Sequence, residues 1–344
     1  MRKPRQRSIQ IRDYVLENVS AHPADITAQT ADQFDISRPA VLRHIHKLLD
    51  EGLLIAHGTT RDRRYELTLL VDDRFSIGLS PGVEEDKIWR HLVRPLLREL
   101  STNVLSICEY GLNEITNNAI DHSEGTDLEI RVQQSAASID FALADNGIGI
   151  FNKIKRDLQL GELREAILEL SKGKLTTDPD RHTGEGIFFV SKMFDSFVVA
   201  SEGLHYAAND IRDENLPRAD ASVGGTEVAM SISALSNRTL RQVFDRYASE
   251  DFDYTFSKTE VPVALAKLGS ENLVSRSQAR RLLTRLDEFK SIALDFDGVE
   301  SIGQPFADEI FRVYAQNNPE VEITTVSAND EVTRMVRRAR SGLR

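Results

Sequence analysis

The sequence predicts a multidomain protein of mixed α/β and α+β class, and three observations carry that prediction. At 344 residues the chain is too long for one ordinary hydrophobic core, which favours two or three domains. Its apolar pattern changes along the chain, from a helical period, through strand-like alternation, to a regular exchange of helix and strand. Glycines at 147, 149, 184, 186, 224 and 225 sit beside apolar runs, where they mark sharp turns.

Composition narrows the class further. Hydrophobic residues at 40% and charged residues at 28% are the proportions of a soluble globular protein. No apolar run approaches the roughly 20 residues that span a bilayer, and the basic start lacks a secretory signal's apolar segment. No membrane contact and a cytoplasmic location are therefore expected. The single cysteine, Cys108, excludes an internal disulfide and reads as a core thiol. A net charge of −11 argues against a protein coated in nucleic acid, yet residues 1–70 hold 11 Lys and Arg against 9 Asp and Glu. The N-terminal segment is thus the part whose field favours a polyanion.

In residues 8–20, Ile9, Ile11, Val15, Leu16 and Val19 fall largely on one helical face. A second short helix fits TAQTADQFD, with Thr27 as N-cap. A third runs from Ser37 as cap, through Pro39 in the first turn, along Val41, Leu42, Ile45, Leu48 and Leu49 to Gly52. Two strands about a basic turn at 58–64 follow. This order resembles a winged helix-turn-helix, assigned to residues 1–72. The resemblance implies a DNA partner, with Arg38, Arg43, His44 and Lys47 of the third helix facing the major groove and Arg61, Arg63 and Arg64 on the wing. Residues 71–86 read as a join with a boundary near Pro81, after which KIWRHLVRPLL resumes a helical period.

The central segment poses a question in EITNNAIDH, residues 114–122. Glu114, Asn117, Asn118 and Asp121 crowd a helix that otherwise reads as buried. Glu114 and Asn118 are one helical turn apart and share a face. Downstream, two alternating strands run into Asp145 and the turn DNGIGI; a loose charged stretch then precedes TGEGIFFVSKMF, where Gly184 and Gly186 open a helix. Such a start leaves backbone N–H groups free for a phosphate. GGTEVAMSI, with Thr226, leads into another strand.

The order and spacing of these motifs resemble the GHKL ATPase superfamily of gyrase, MutL, the large heat-shock chaperones and the histidine kinases, across residues 83–235. That resemblance implies an α/β sandwich with helices on one face of a mixed sheet, and ATP with Mg²⁺ as cofactors. It implies that Asn118 ligates Mg²⁺, that Glu114 orients or deprotonates the attacking water, and that Asp145 accepts a hydrogen bond from the adenine amino group with Thr226 in support. Gly147, Gly149, Gly184 and Gly186 would let the backbone approach the nucleotide, under a mobile lid of residues 152–183. Lys172 and Lys174 read as part of a solvated charged loop, with reach to the γ-phosphate as the alternative.

Beyond residue 250, amphipathic 277–289, buried strand 291–296, helix 304–317 and strand 322–326 alternate. This resembles a STAS-type domain, and more closely the STAS-like domain often joined to GHKL ATPases, assigned to 250–344. Where the antagonists of anti-sigma factors carry a phosphorylatable serine, Gln304 and Pro305 stand, with Ser301 close by. The domain is expected to be a docking or dimer surface. The whole reads as an ATP-binding, DNA-binding transcriptional regulator, a homodimer in which nucleotide state controls the winged helix, and a slow Mg²⁺-dependent ATPase is left open. Two alternatives stay open: an anti-sigma-type serine/threonine protein kinase acting on a partner, and a MutL-like ATP-driven dimer clamp.

Overall fold

Three helices and a hairpin form the N-terminal part of the computed structural model, which describes residues 3–59, 62–175, 184–208, 224–249, 255–267 and 272–341. They are α1 (Lys3–Asn18), α2 (Ile26–Phe34), α3 (Arg38–Asp50) and the antiparallel pair β1 (Leu54–His57) and β2 (Arg64–Leu67). Val15, Val19, Ile26, Val41, Ile45, Leu48 and Tyr65 close a core of their own. Ile9, expected on the buried stripe, is 51% exposed. Pro39 occupies the first turn of α3 after an extended Ser37, as its missing N–H permits. Thr27 is not the cap of α2: the helix starts at Ile26 after Asp25, whose carbonyl already accepts from Ala28 N at 2.8 Å and Gln29 N at 3.1 Å.

Only residues 68–70 separate β2 from β3 (Val71–Gly78). The first half of the stretch read as a join, residues 71–78, is therefore the edge strand of the central sheet, where it pairs antiparallel with β4. Three consecutive exposed charged residues, Asp72, Asp73 and Arg74, concealed it, since an edge strand needs an apolar lining on one side only. The chain continues through α4 (Glu85–Ile88) and a π-helical turn, Trp89–Val93, to α5 (Thr102–His122), β4 (Asp127–Gln134) and β5 (Ser138–Asp145). Next come α6 (Ile150–Asp157), α7 (Glu165–Lys172), α8 (Gly186–Met193), β6 (Ser196–Ser201), β7 (Leu204–Ala208), β8 (Glu227–Ser233) and α9 (Leu240–Tyr247).

The six strands lie in the order β3-β4-β5-β8-β6-β7. Every pair is antiparallel, so the sheet expected to be mixed is not: β4–β5 and β6–β7 are hairpins, and β8 inserts between them running opposite to both neighbours. Leu128, Ile130, Phe141, Leu143, Phe197, Val228 and Met230 alternate onto one face and join the same core as Leu112 and Ile115 of α5 and Val190 of α8. The helices thus cover one face, as expected. Cys108 is buried in this core, where desolvation pushes its thiol pKa far up.

The C-terminal part is a smaller parallel α/β unit. It comprises β9 (Lys258–Pro262), α10 (Arg276–Leu283), β10 (Ser291–Asp295), α11 (Gln304–Asp308), a π-helical turn leading into α12 (Ala315–Asn317), β11 (Glu322–Val326) and α13 (Asp330–Ser341). The strand order is β11-β10-β9, all parallel, which requires the helical crossovers present. Ser275 and Gln278 form a capping box on α10. That helix stops at Leu283 rather than reaching 289, and a 3₁₀ turn at Leu286–Glu288 completes the segment. One hydrophobic core runs from the central sheet into this unit. No described helix is long and apolar enough to cross a membrane.

Candidate functional site

One cleft of about 330 Å³ opens between α5, the end of β5, α6, α7 and the start of α8, within the ~300–1,000 Å³ usual for small-molecule sites. Glu114, Asn117, Asn118, Asp145, Gly149, Gly184, Gly186 and Thr226 all line it. These residues come from segments more than a hundred positions apart, so convergence here is a property of the fold. Asp121, from the same motif, is exposed and takes no part in the lining.

The helix explains the crowding of polar residues in that motif. Ile115, Thr116 and Ala119 turn into the core, while Glu114, Asn117 and Asn118 remain half-buried on the side facing the cleft. Tyr110, one turn before Glu114, hydrogen-bonds its carboxylate and is held with a strongly raised pKa by burial and by the Glu114 and Glu185 charges. Helical spacing, four residues before Glu114 on α5, is the sequence signal that places Tyr110 on this face. At Gly186 a Cβ would overlap Glu114 Oε2; the glycine lets the carboxylate lie directly against the first turn of α8.

Asp145 closes the far end of the cleft. It is 9% exposed, and its Oδ1 accepts hydrogen bonds from the N–H of Gly147 at 2.8 Å and of Thr226 at 3.3 Å. Burial raises its pKa, opposed by bonds from Gly147 and from the Thr226 backbone and hydroxyl. The Thr226 hydroxyl oxygen also accepts from Ile150 N at 2.9 Å, which ties the start of β8 to that of α6. Gly147 does not line the cleft; a Cβ there would overlap the carbonyl of Ser123 at the end of α5. Its role is to let the turn strap onto the helix, where Ile148 N donates to the same carbonyl at 2.9 Å. Asn146 holds that turn from the other side, accepting from Thr126 N at 2.8 Å and Asp127 N at 3.0 Å.

These residues fit a nucleotide with Mg²⁺. The lining is apolar around Asp145, with Leu128, Leu143, Ile150, Ile154 and Val228, which suits a base whose amino group meets a buried carboxylate. Glu114 lies nine residues before Ser123, the cap of α5, about 13.5 Å along the helix, so the oxygens of Glu114 and Asn118 would stand toward the triphosphate of a nucleotide whose base met Asp145. Mg²⁺ needs only one or two protein oxygens beside phosphate and water. Lys153 is the only Lys or Arg of the described lining, and its Nζ is engaged by Glu124 at 3.3 Å and Asp157 at 3.6 Å. Among the described residues, phosphate charge in this cleft would be met chiefly by a metal ion and main-chain donors.

The charged stretch 152–183 departs from expectation. Residues 176–183 lie outside the described residues; the remainder is mostly helical, as α6 and α7. Lys172 is neither solvated nor aimed at the cleft: its Nζ is buried and donates to Glu169 Oε1 at 2.6 Å, Thr284 O at 2.9 Å and Arg281 O at 3.2 Å. Lys174 Nζ donates to Glu288 O at 2.7 Å and sits 4.7 Å above the Phe289 ring. Both lysines are committed to the C-terminal unit.

At the N-terminal unit, Arg38, Arg43, Lys47, Arg63 and Arg64 are exposed, and Lys47 Nζ is 3.9 Å from Glu51. Arg63 lies over the Tyr65 ring at 5.7 Å. His44 is half-buried; burial first, then Arg12, Arg43 and Lys47, lowers its pKa, so at neutral pH it is an uncharged imidazole. Arg61 lies outside the described residues.

The six-stranded sheet with helices on one face and the polar helix lining its cleft fit a nucleotide-binding domain. Residues 85–207 match the histidine kinase-like ATPase domain family. Residues 278–333 match the STAS-like domain of unknown function (DUF4325). The chain therefore carries a histidine kinase-like ATPase domain followed by a STAS-like domain. The first match ends before β8, although β8 is central to the sheet and brings Thr226 to the cleft. A comparison with curated proteins found no match.

Proposed function

We propose that this chain is an ATP-controlled DNA-binding regulator, acting as a homodimer, in which the nucleotide state of the central domain sets the placement of an N-terminal winged helix. The observation that carries the ATP part is the convergence of Glu114, Asn118, Asp145 and Thr226 on one cleft. Asn118 would hold Mg²⁺, Asp145 would receive the adenine amino group, and Glu114 would act on water at the γ-phosphate. A hydrogen bond to a buried charged group is worth about 1.5–3 kcal/mol. Asp145→Asn should accordingly weaken ATP-analogue binding by about 10–100-fold in calorimetry, with the circular dichroism spectrum unchanged; wild-type affinity would remove Asp145 from adenine recognition.

The DNA part is supported by the exposed cations of α3 and the hairpin, and by the attachment of this unit. Only residues 68–70 lead into β3, Leu70 N donates to Gln134 O at 2.7 Å, and Ala136 and Ala137 of the β4–β5 turn pack on its core. Movement within the sheet would thus reach the hairpin without a slack linker. Two copies of α3 in a dimer would meet half-sites about 34–36 Å apart, one turn of duplex. A ligand shifts such an equilibrium only by its differential affinity for the two states.

The test is capture of genomic fragments from the protein's own source, with and without Mg²⁺ and a non-hydrolysable ATP analogue. Specific fragments whose recovery depends on nucleotide support the reading; no specific fragments in either state would leave the three-helix unit a protein-contact module. On a recovered fragment, Arg43→Ala should cost about 1–3 kcal/mol with relaxed sequence preference if the side chain reads a base. It should instead weaken all sequences alike, with a shallower salt dependence, if it holds a phosphate.

A further inference from the structure

The wall of the cleft formed by residues 170–175 has two sides. Leu170, Gly173 and Leu175 line the cleft, while the neighbouring side chains are held by the STAS-like domain. Glu169 accepts from Lys172 through Oε1 at 2.6 Å and from Arg285 through Oε2 at 3.3 Å. Lys172 reaches the carbonyls at the end of α10, and its own carbonyl accepts from Thr259 Oγ1 of β9 at 2.7 Å. Arg285 also donates to Lys174 O. Its backbone has φ 61°, a conformation that residues other than glycine seldom adopt, which these side-chain bonds help to hold. An aromatic contact runs parallel to this polar one: Phe188 lines the cleft and meets Phe256 at 4.7 Å, which meets Phe289 at 5.3 Å.

We infer that the STAS-like domain is an intramolecular latch on the ATP cleft: the surface carrying Arg281, Arg285 and Phe289 holds the 170–175 wall, and nucleotide binding and this docking strengthen each other. The inference rests on the reading that the cleft binds nucleotide. It assigns the domain a partner within its own chain, in place of the separate partner protein that a STAS-like fold suggests. Coupling of this kind is reciprocal. Nucleotide should therefore protect the docking surface, and loosening that surface should weaken nucleotide, although Arg285 is not among the cleft-lining residues.

The experiment is hydrogen exchange on the full-length protein with and without a non-hydrolysable ATP analogue and Mg²⁺, combined with calorimetric titration of wild type, Arg285→Ala and Lys174→Met. Lys174→Met keeps an apolar stem over Phe289 and serves if the Arg285 variant fails to fold. Slower exchange across residues 276–288 on nucleotide addition, with affinity reduced about tenfold in a folded variant, is the expected result; tenfold lies inside the ~5–150-fold span of ordinary coupling. Wild-type nucleotide binding with unchanged exchange at 276–288 and unaltered affinity in the variants would overturn the latch and leave the ATP reading standing. No nucleotide binding by the wild type would overturn both.

Discussion

Glu169→Ala is expected to lower the unfolding free energy by about 3–5 kcal/mol, the usual cost of removing one partner from a buried ion pair. The side chains of Lys172 and Glu169 are 1% and 3% exposed. Without the carboxylate, the Lys172 ammonium keeps only the carbonyls of Arg281 and Thr284, and Arg285 loses its ion pair across the domain boundary. Trp89, the one tryptophan of the chain, is buried in the shared core, so its fluorescence can follow urea unfolding. Burial, the largest influence, holds the Lys172 pKa below the usual lysine range in the intact pair, against the opposing pull of Glu169. Between that depressed value and the ordinary one, the unfolded chain binds more protons than the folded chain, so stability rises with pH. Loss of Glu169 removes the main charge that opposes burial, so Lys172 is depressed further in the variant. The variant's stability then rises with pH more steeply than that of the wild type, and the deficit of Glu169→Ala should shrink as the buffer is taken toward the alkaline end. A loss below about 1 kcal/mol would mean that the pair is not the buried anchor of the boundary.

Glu114→Gln is expected to bind ATP with wild-type affinity while hydrolysing it about 10²–10⁴-fold more slowly, the range contributed by a positioned general base. The amide keeps the shape of the carboxylate and can still accept from Tyr110, so the space left by Gly186 stays filled. What it loses is the ability to take a proton from water. Equal turnover by the two forms would place the base elsewhere. If the wild type binds ATP without releasing phosphate, ATP serves as a switch rather than a fuel; if labelled γ-phosphate appears on protein, the kinase reading gains.

The helices and the site motif were legible because they rest on local rules. The three N-terminal helices follow apolar spacing and Pro39, and Glu114 with Asn118 one turn later share a face in any helix. The glycine-rich start of α8 was equally visible, since Gly184 and Gly186 precede an apolar helical run. Tertiary structure decided what those signals could not reach. Residues 71–78 became a strand because β4 offered them a partner, not because their own pattern demanded one. The sheet became wholly antiparallel because β8 inserts between two hairpins, a choice made among strands distant in sequence.

The lysines of the charged stretch mark the clearest division. A lysine among acids and polar residues reads as solvated, because exposure is the cheapest state for an ammonium in the absence of other information. Lys172 escapes that rule through carbonyls 109 and 112 positions away, together with Glu169 one turn before it. The sequence by itself determined the three N-terminal helices, the strands β4, β5 and β8, and which polar residues share the face of α5. Only the tertiary structure decided that the rim of the ATP cleft belongs equally to the C-terminal domain, because burial of a charge is set by distant groups that its own neighbours in sequence cannot supply.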